Sequence, residues 1–101
     1  MILIEPGFVL TNFSHAMVVA KKAQDPASPY SALMQKIMTN MSELAKNASS
    51  AELVANVILD AASNPNPRLR YLAGKDVESW AAGKKSMDEL EFFNMIKGLI
   101  T

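Results

Sequence analysis

Two short strand-like runs stand near opposite ends of this chain with only helical patterning between them, and that spacing dictates how they can pair. Ile2-Leu3-Ile4 is apolar and mostly β-branched, and Pro6-Gly7 stops it; the second run, Arg68 to Ala73, is closed by Gly74. A run with no polar face suits a strand buried on both sides, as in a parallel sheet. Strands joined by a long helical crossover pair in parallel, through a right-handed connection. The expected fold class is therefore α/β: two short parallel strands with a helical crossover and a terminal helix. That is the edge of a parallel sheet, and a complete domain would need more strands.

The helices between and after the strands carry their own boundary signals. Ser28-Pro29 reads as a hydroxyl N-cap followed by proline at the first helical position. Leu33, Ile37, Met41 and Leu44 follow at helical spacing, which predicts a helix from about Pro29 to Lys46. Before it, Thr11 to Asp25 has no clean period, with a short helix possible over Ala16 to Ala23. Ser49 and Glu52 have capping-box spacing, and Leu53, Val54, Val57, Ile58 and Ala61 supply the buried face of a second helix. Asn64-Pro65-Asn66-Pro67 ends that helix. One or two helical turns are expected over Val77 to Ala82. Ser86 and Glu89 form another capping-box pattern, opening a terminal helix that carries Leu90, Phe93, Ile96 and Ile100.

Composition narrows the chemistry. The 101 residues are 50% hydrophobic and 20% charged, and ten basic residues balance ten acidic ones. With no basic stripe, neither nucleic acid nor an anionic membrane surface is an expected partner. There is no cysteine and one histidine, His15. Disulfides, thiolate or histidine-rich metal sites and cysteine nucleophiles are thereby excluded. The apolar start is too short for a signal-peptide core or a membrane span, so a cytoplasmic, soluble protein is expected.

Ile4-Glu5-Pro6-Gly7-Phe8-Val9-Leu10-Thr11 resembles the segment of short-chain dehydrogenases/reductases that leaves the sixth strand of their Rossmann-type sheet. Further along, Glu52-Leu53-Val54-Ala55 resembles the family's long helix. Asn66-Pro67-Arg68-Leu69-Arg70-Tyr71-Leu72-Ala73-Gly74-Lys75-Asp76 resembles its last strand with a Gly-Lys-Asp exit. The resemblance covers essentially the whole chain, in order. It implies a nicotinamide loop over 4–13, substrate-lid helices over 14–47, a long helix over 50–63, a last strand over 68–73 and a terminal helix over 86–98. It also implies a parent that moves hydride between NAD or NADP and an alcohol or carbonyl substrate. Pro6, Gly7, Val9 and Thr11 would then be cofactor-binding, with backbone groups near Val9 on the carboxamide and Thr11 on the carboxamide or a phosphate. Proline fixes the exit angle from the strand, and glycine admits close approach to the ring. Phe13, Met17 and Met38 would line the substrate pocket, whereas Met34 and Met41 read as helix packing.

The departures from that family are as informative. Its phosphate loop needs clustered glycines, and the four here, Gly7, Gly74, Gly83 and Gly98, are scattered. The family's catalytic serine and Tyr/Lys pair precede the Pro-Gly loop, where this sequence has only Met1 to Glu5. No catalytic residue is therefore assigned, and the chain by itself is expected to be inactive. A strand at residue 1 fits a truncated reading frame or an internal start. Tyr71 and Lys75 match Y-x-x-x-K literally, but they lie at the end of a predicted strand, span Gly74 and come after the loop, so they read as structural. His15 reads as a loop histidine, Trp80 and Phe92 as packing under the sheet edge, and Lys84 and Lys85 as solvated. The alternative function is a stand-alone interaction module or pseudoenzyme subunit that pairs through an open sheet edge. Either way a homo-oligomer or an aggregation-prone chain is expected.

Overall fold

The computed structural model describes residues 1–101. Its elements are β1 (Leu3–Pro6), β2 (Val9–Leu10), α1 (Ser31–Ala45), β3 (Ser49–Ser50), α2 (Ala51–Ser63), β4 (Arg70–Ala73), α3 (Lys75–Ser86) and α4 (Glu89–Ile100). Two 3-10 turns, Ser14–Ala16 and Lys21–Gln24, lie between β2 and α1.

The two strand-like runs pair as their separation requires. β1 and β4 are parallel, with Leu3 opposite Arg70 and Pro6 opposite Ala73. Leu3 N–H donates to Leu69 C=O at 2.8 Å, and Gly7 N–H to Ala73 C=O at 3.3 Å. A second parallel pair, β2 with β3, sets Val9 opposite Ser49 and Leu10 opposite Ser50. Neither short strand was expected, because two-residue bridges leave no periodic trace. The architecture is α/β, two small parallel sheets with four helices, in the manner of a partial Rossmann-like edge.

α2 packs on β4, β1 and β2, α3 on β4 and α4, and α1 on α4. The buried residues are Ala61 of α2, Tyr71 and Ala73 of β4, and Gly74. Tyr71 and Ala73 share one face of β4 by the two-residue strand period, while Arg70 on the other face is exposed. β1 is not buried on both sides as its composition suggests. Ile2 lies outside the strand and is 37% exposed, as is Leu3, since β1 has one strand neighbour and incomplete cover.

Three helix starts are corrected. α1 begins at Ser31, with Tyr30 as its uncapped N-cap; the Ser28 hydroxyl accepts from Tyr30 N–H at 3.3 Å and makes a turn instead. Ser50, not Ser49, caps α2, accepting from Leu53 N–H at 3.1 Å, because Ser49 is held in β3. Asp88 and Glu91, not Ser86 and Glu89, form the capping box of α4, because α3 extends through Ser86. α3 is itself a 12-residue helix where only one or two turns were expected.

The region expected to hold a helix over Ala16 to Ala23 is the second 3-10 turn preceded by extended chain. On α4 the inner face is Phe92, Met95, Ile96 and Leu99, a true i, i+3, i+4, i+7 stripe. The expected Leu90 and Phe93 are 68% and 60% exposed, so this helix is apolar on two sides.

Candidate functional site

The turn between β1 and β2 is held by contacts with residues far along the chain. Pro6 ends β1 and, with no N–H to donate, is suited to the last position of a strand that must turn. Beyond it the chain passes against the first turn of α3. The Asp76 carboxylate accepts from Phe8 N–H at 2.8 Å with one oxygen and from Val77 N–H at 2.8 Å with the other. A Cβ at Gly7 would fall onto that carboxylate, so the turn can approach α3 only as glycine.

Gly74, the N-cap of α3, sits at φ +126, a conformation that favours glycine, and a Cβ there would lie 2.7 Å from both Ser49 Oγ and Asp76 Oδ1. The ends of β1, β3 and β4 thus meet around two glycines and one carboxylate. The Phe8 ring meets Trp80 of α3 edge-on, with centroids 6.3 Å apart and planes at 78°. Asp76 is the residue sequence reasoning missed. Its signal was the Gly-Lys-Asp exit from the second strand, which places an acid in a helix's first turn, where it also favours the helix dipole.

Val9 lies in β2 and Thr11 just after it. Ser49 N–H donates to Phe8 C=O at 2.8 Å, so Phe8 and Leu10 turn toward β3. In a parallel ladder the intervening residue then points its N–H and C=O away, which leaves those of Val9 directed off the sheet pair. The Thr11 hydroxyl accepts from Phe13 N–H at 3.2 Å and keeps its own proton to donate. Of the four cofactor-binding candidates, Val9 and Thr11 carry these outward groups, whereas Pro6 has no N–H and the Gly7 N–H is bonded to Ala73 C=O. A donor and an acceptor thus stand together at Val9. No comparable cradle of clustered glycine N–H groups exists for a pyrophosphate among the four glycines.

The substrate-pocket candidates separate. Met17 and Met38 come together in a groove of about 820 Å³ between the Lys21–Gln24 turn and α1. Met34, read as packing, lines it too, whereas Phe13 does not and is 81% exposed. Tyr71 is only 3% exposed; its hydroxyl accepts from Arg68 N–H at 3.1 Å, and the Arg68 guanidinium stacks 4.6 Å above its ring. Such a tyrosine holds the strand end together. No helix is long and apolar enough to cross a membrane.

No protein-family profile matches the chain, and no solved structure does. Among curated proteins it is similar to two of the fission yeast Schizosaccharomyces pombe, each named as an uncharacterised oxidoreductase. Each is 33% identical over 90 residues, a match covering 89% of this chain and 36% of the relative. The chain thus spans about a third of the length of the oxidoreductases it resembles.

Proposed function

We propose that this chain is the nicotinamide-loop and substrate-lid segment of a short-chain dehydrogenase/reductase acting on an alcohol or carbonyl. The observation that carries the reading is the Pro6-Gly7 turn. It leaves a parallel strand and is locked by Asp76 and Phe8 so that the Val9 backbone and Thr11 hydroxyl stay presented. Similarity to two proteins named as oxidoreductases over most of the chain supports it. NAD or NADP would supply or accept the hydride. Val9 and Thr11 would orient the carboxamide end through hydrogen bonds, and the segment between β2 and α1 would cover the substrate and exclude water. The general acid and the phosphate cradle are not among these 101 residues.

The DNA upstream of Met1 tests the reading directly. An in-frame stretch encoding a clustered-glycine loop and a Y-x-x-x-K helix is expected, and a stop codon close to the start would overturn it. The chain alone is expected to show no micromolar affinity for NADH or NADPH by calorimetry, since Val9 and Thr11 would be a small part of a dinucleotide site.

One observation favours a second reading, an interaction module. β1 has a single strand neighbour and so presents an open edge. A stop codon upstream together with a defined dimer would select that alternative.

A further inference from the structure

Helix α4 is apolar on two sides, and only one of them is covered. Opposite its inner face, Leu90, Phe93 and Ile100 form a second stripe at i, i+3 and i+10 that stays in solvent. Lys97 falls in the same stripe, one turn after Phe93. Charge is segregated along the helix, with Glu89 in the first turn and Lys97 in the last. Their spacing corresponds to about 12 Å of helical rise, so they cannot pair within one helix. The two ion pairs of the structure, Lys46–Glu43 and Arg70–Glu5, involve neither residue. Glu91 is taken by the capping box with Asp88. A Cβ at Gly98 would meet nothing within 4 Å, which leaves that flank of the helix open to a second backbone.

We propose that this outer face is the contact surface of a homodimer, with α4 packed antiparallel on the α4 of a second copy about a two-fold axis. An axis level with Phe93 and Asn94 sets Leu90 opposite Lys97 of the second copy and Glu89 opposite its Gly98. Glu89 then lies within about 1.5 Å of axial rise of that lysine, and the symmetry makes the same pair twice. Leu90 covers the lysine stem, and the two Phe93 rings meet near the axis. A parallel arrangement would put acid beside acid and align the two helix dipoles. An anionic membrane is a poorer occupant, because Asp88, Glu89 and Glu91 crowd one end of α4 against a single lysine. The surface to be covered is large enough. The chain exposes 8151 Å² where about 5,600 Å² is usual for its mass, and the difference exceeds the roughly 1,600 Å² that a standard interface buries. The proposal does not depend on the hydride-transfer reading.

The test is a charge swap on the intact chain, followed by sedimentation over a concentration series at low ionic strength. Lys97→Glu and Glu89→Lys should each weaken self-association about tenfold, because each turns both attractive pairs into repulsive ones. An equimolar mixture of the two variants should recover the parent's association, since each then supplies the charge the other needs. A variant that had merely unfolded would not recover on mixing. Phe93→Gln should weaken association at least about tenfold through lost apolar contact. The chain has no cysteine, so Asn94→Cys gives an independent reading. It should form a disulfide-linked dimer on air oxidation much faster than Lys84→Cys on α3, because only position 94 lies beside its own copy at the axis. A chain that stays monomeric, a mixture that associates no better than its components, indifference to Phe93→Gln, or equal cross-linking at both cysteines would each overturn the proposal.

Discussion

Of the four glycines, Gly7 leaves least room for a Cβ, and its contact with Asp76 couples the turn after β1 to the start of α3. Gly7→Ala would push a methyl into a carboxylate held by the Phe8 amide, with an expected loss of about 1–3 kcal/mol for an overpacked contact. Asp76→Ala removes both the obstacle and the acceptor for a half-buried N–H, costing about 1–3 kcal/mol. Because the two residues share one contact, the double variant should be more stable than the sum of the single losses by at least about 0.5 kcal/mol. Urea unfolding of the four proteins measures this, and simple additivity would show that the turn is held elsewhere.

Thr11 is the second residue whose role is checkable. In an enzyme containing this segment, Thr11→Val keeps the shape and removes a donor. The Michaelis constant for the cofactor should rise by the equivalent of about 0.5–1.5 kcal/mol, with turnover little changed. Steady-state kinetics with unchanged cofactor dependence would leave Thr11 only its bond to Phe13 N–H.

Among the elements, helix boundaries were legible to within a few residues and their caps were not. Ser49 and Ser50 are adjacent hydroxyls, and both precede an apolar run. Only the pairing of Ser49 with Val9 decides that Ser50 caps α2. Ser86 and Asp88 compete in the same way, and the continuation of α3 through Ser86 hands the box to Asp88, whose carboxylate accepts from Glu91 N–H at 2.8 Å. Asp88→Ala should therefore lower stability by about 1 kcal/mol, within a range of about 0.5–2. Ser86→Ala, which loses only an exposed bond to Gly83 C=O, should stay within about 0.5 kcal/mol of the parent. Thermal unfolding followed by circular dichroism separates the two; equal effects would return the cap to Ser86. The ion pair between Arg70 and Glu5 adds little to this account, since the arginine side chain is 67% exposed.

At the scale of the whole molecule, the surface is out of proportion to the mass. A folded monomer of 11.0 kDa exposes about 5,600 Å² by the usual size scaling, and this chain exposes 8151 Å², about 2,500 Å² more. Its radius of gyration is 16.8 Å, against about 13 Å for a compact chain of this length. Leu53, Ile58 and Leu59 on α2 and Leu90 and Phe93 on α4 are among the apolar side chains left in solvent. Exposure on that scale favours association. Sedimentation over a concentration series should show self-association, and Leu3→Lys should weaken whatever part of it runs through the β1 edge. A monomer that persists at high concentration and ignores that lysine would show the edge to be protected.

The sequence by itself marked β1, β4 and the helices α1, α2 and α4, and the helical crossover pointed to the parallel sense of β1 and β4, because hydrophobic period is local and parallel strands need a long connection. It also marked the Pro6-Gly7 turn, since those residue types constrain φ and approach distance wherever they stand. Only the tertiary structure decided which serine caps, which face of α4 turns inward, that β2 and β3 exist, and that Asp76 grips the turn. Each of these depends on contacts between residues far apart in the chain, whose energies of about a kilocalorie per mole select among local alternatives that are nearly equal.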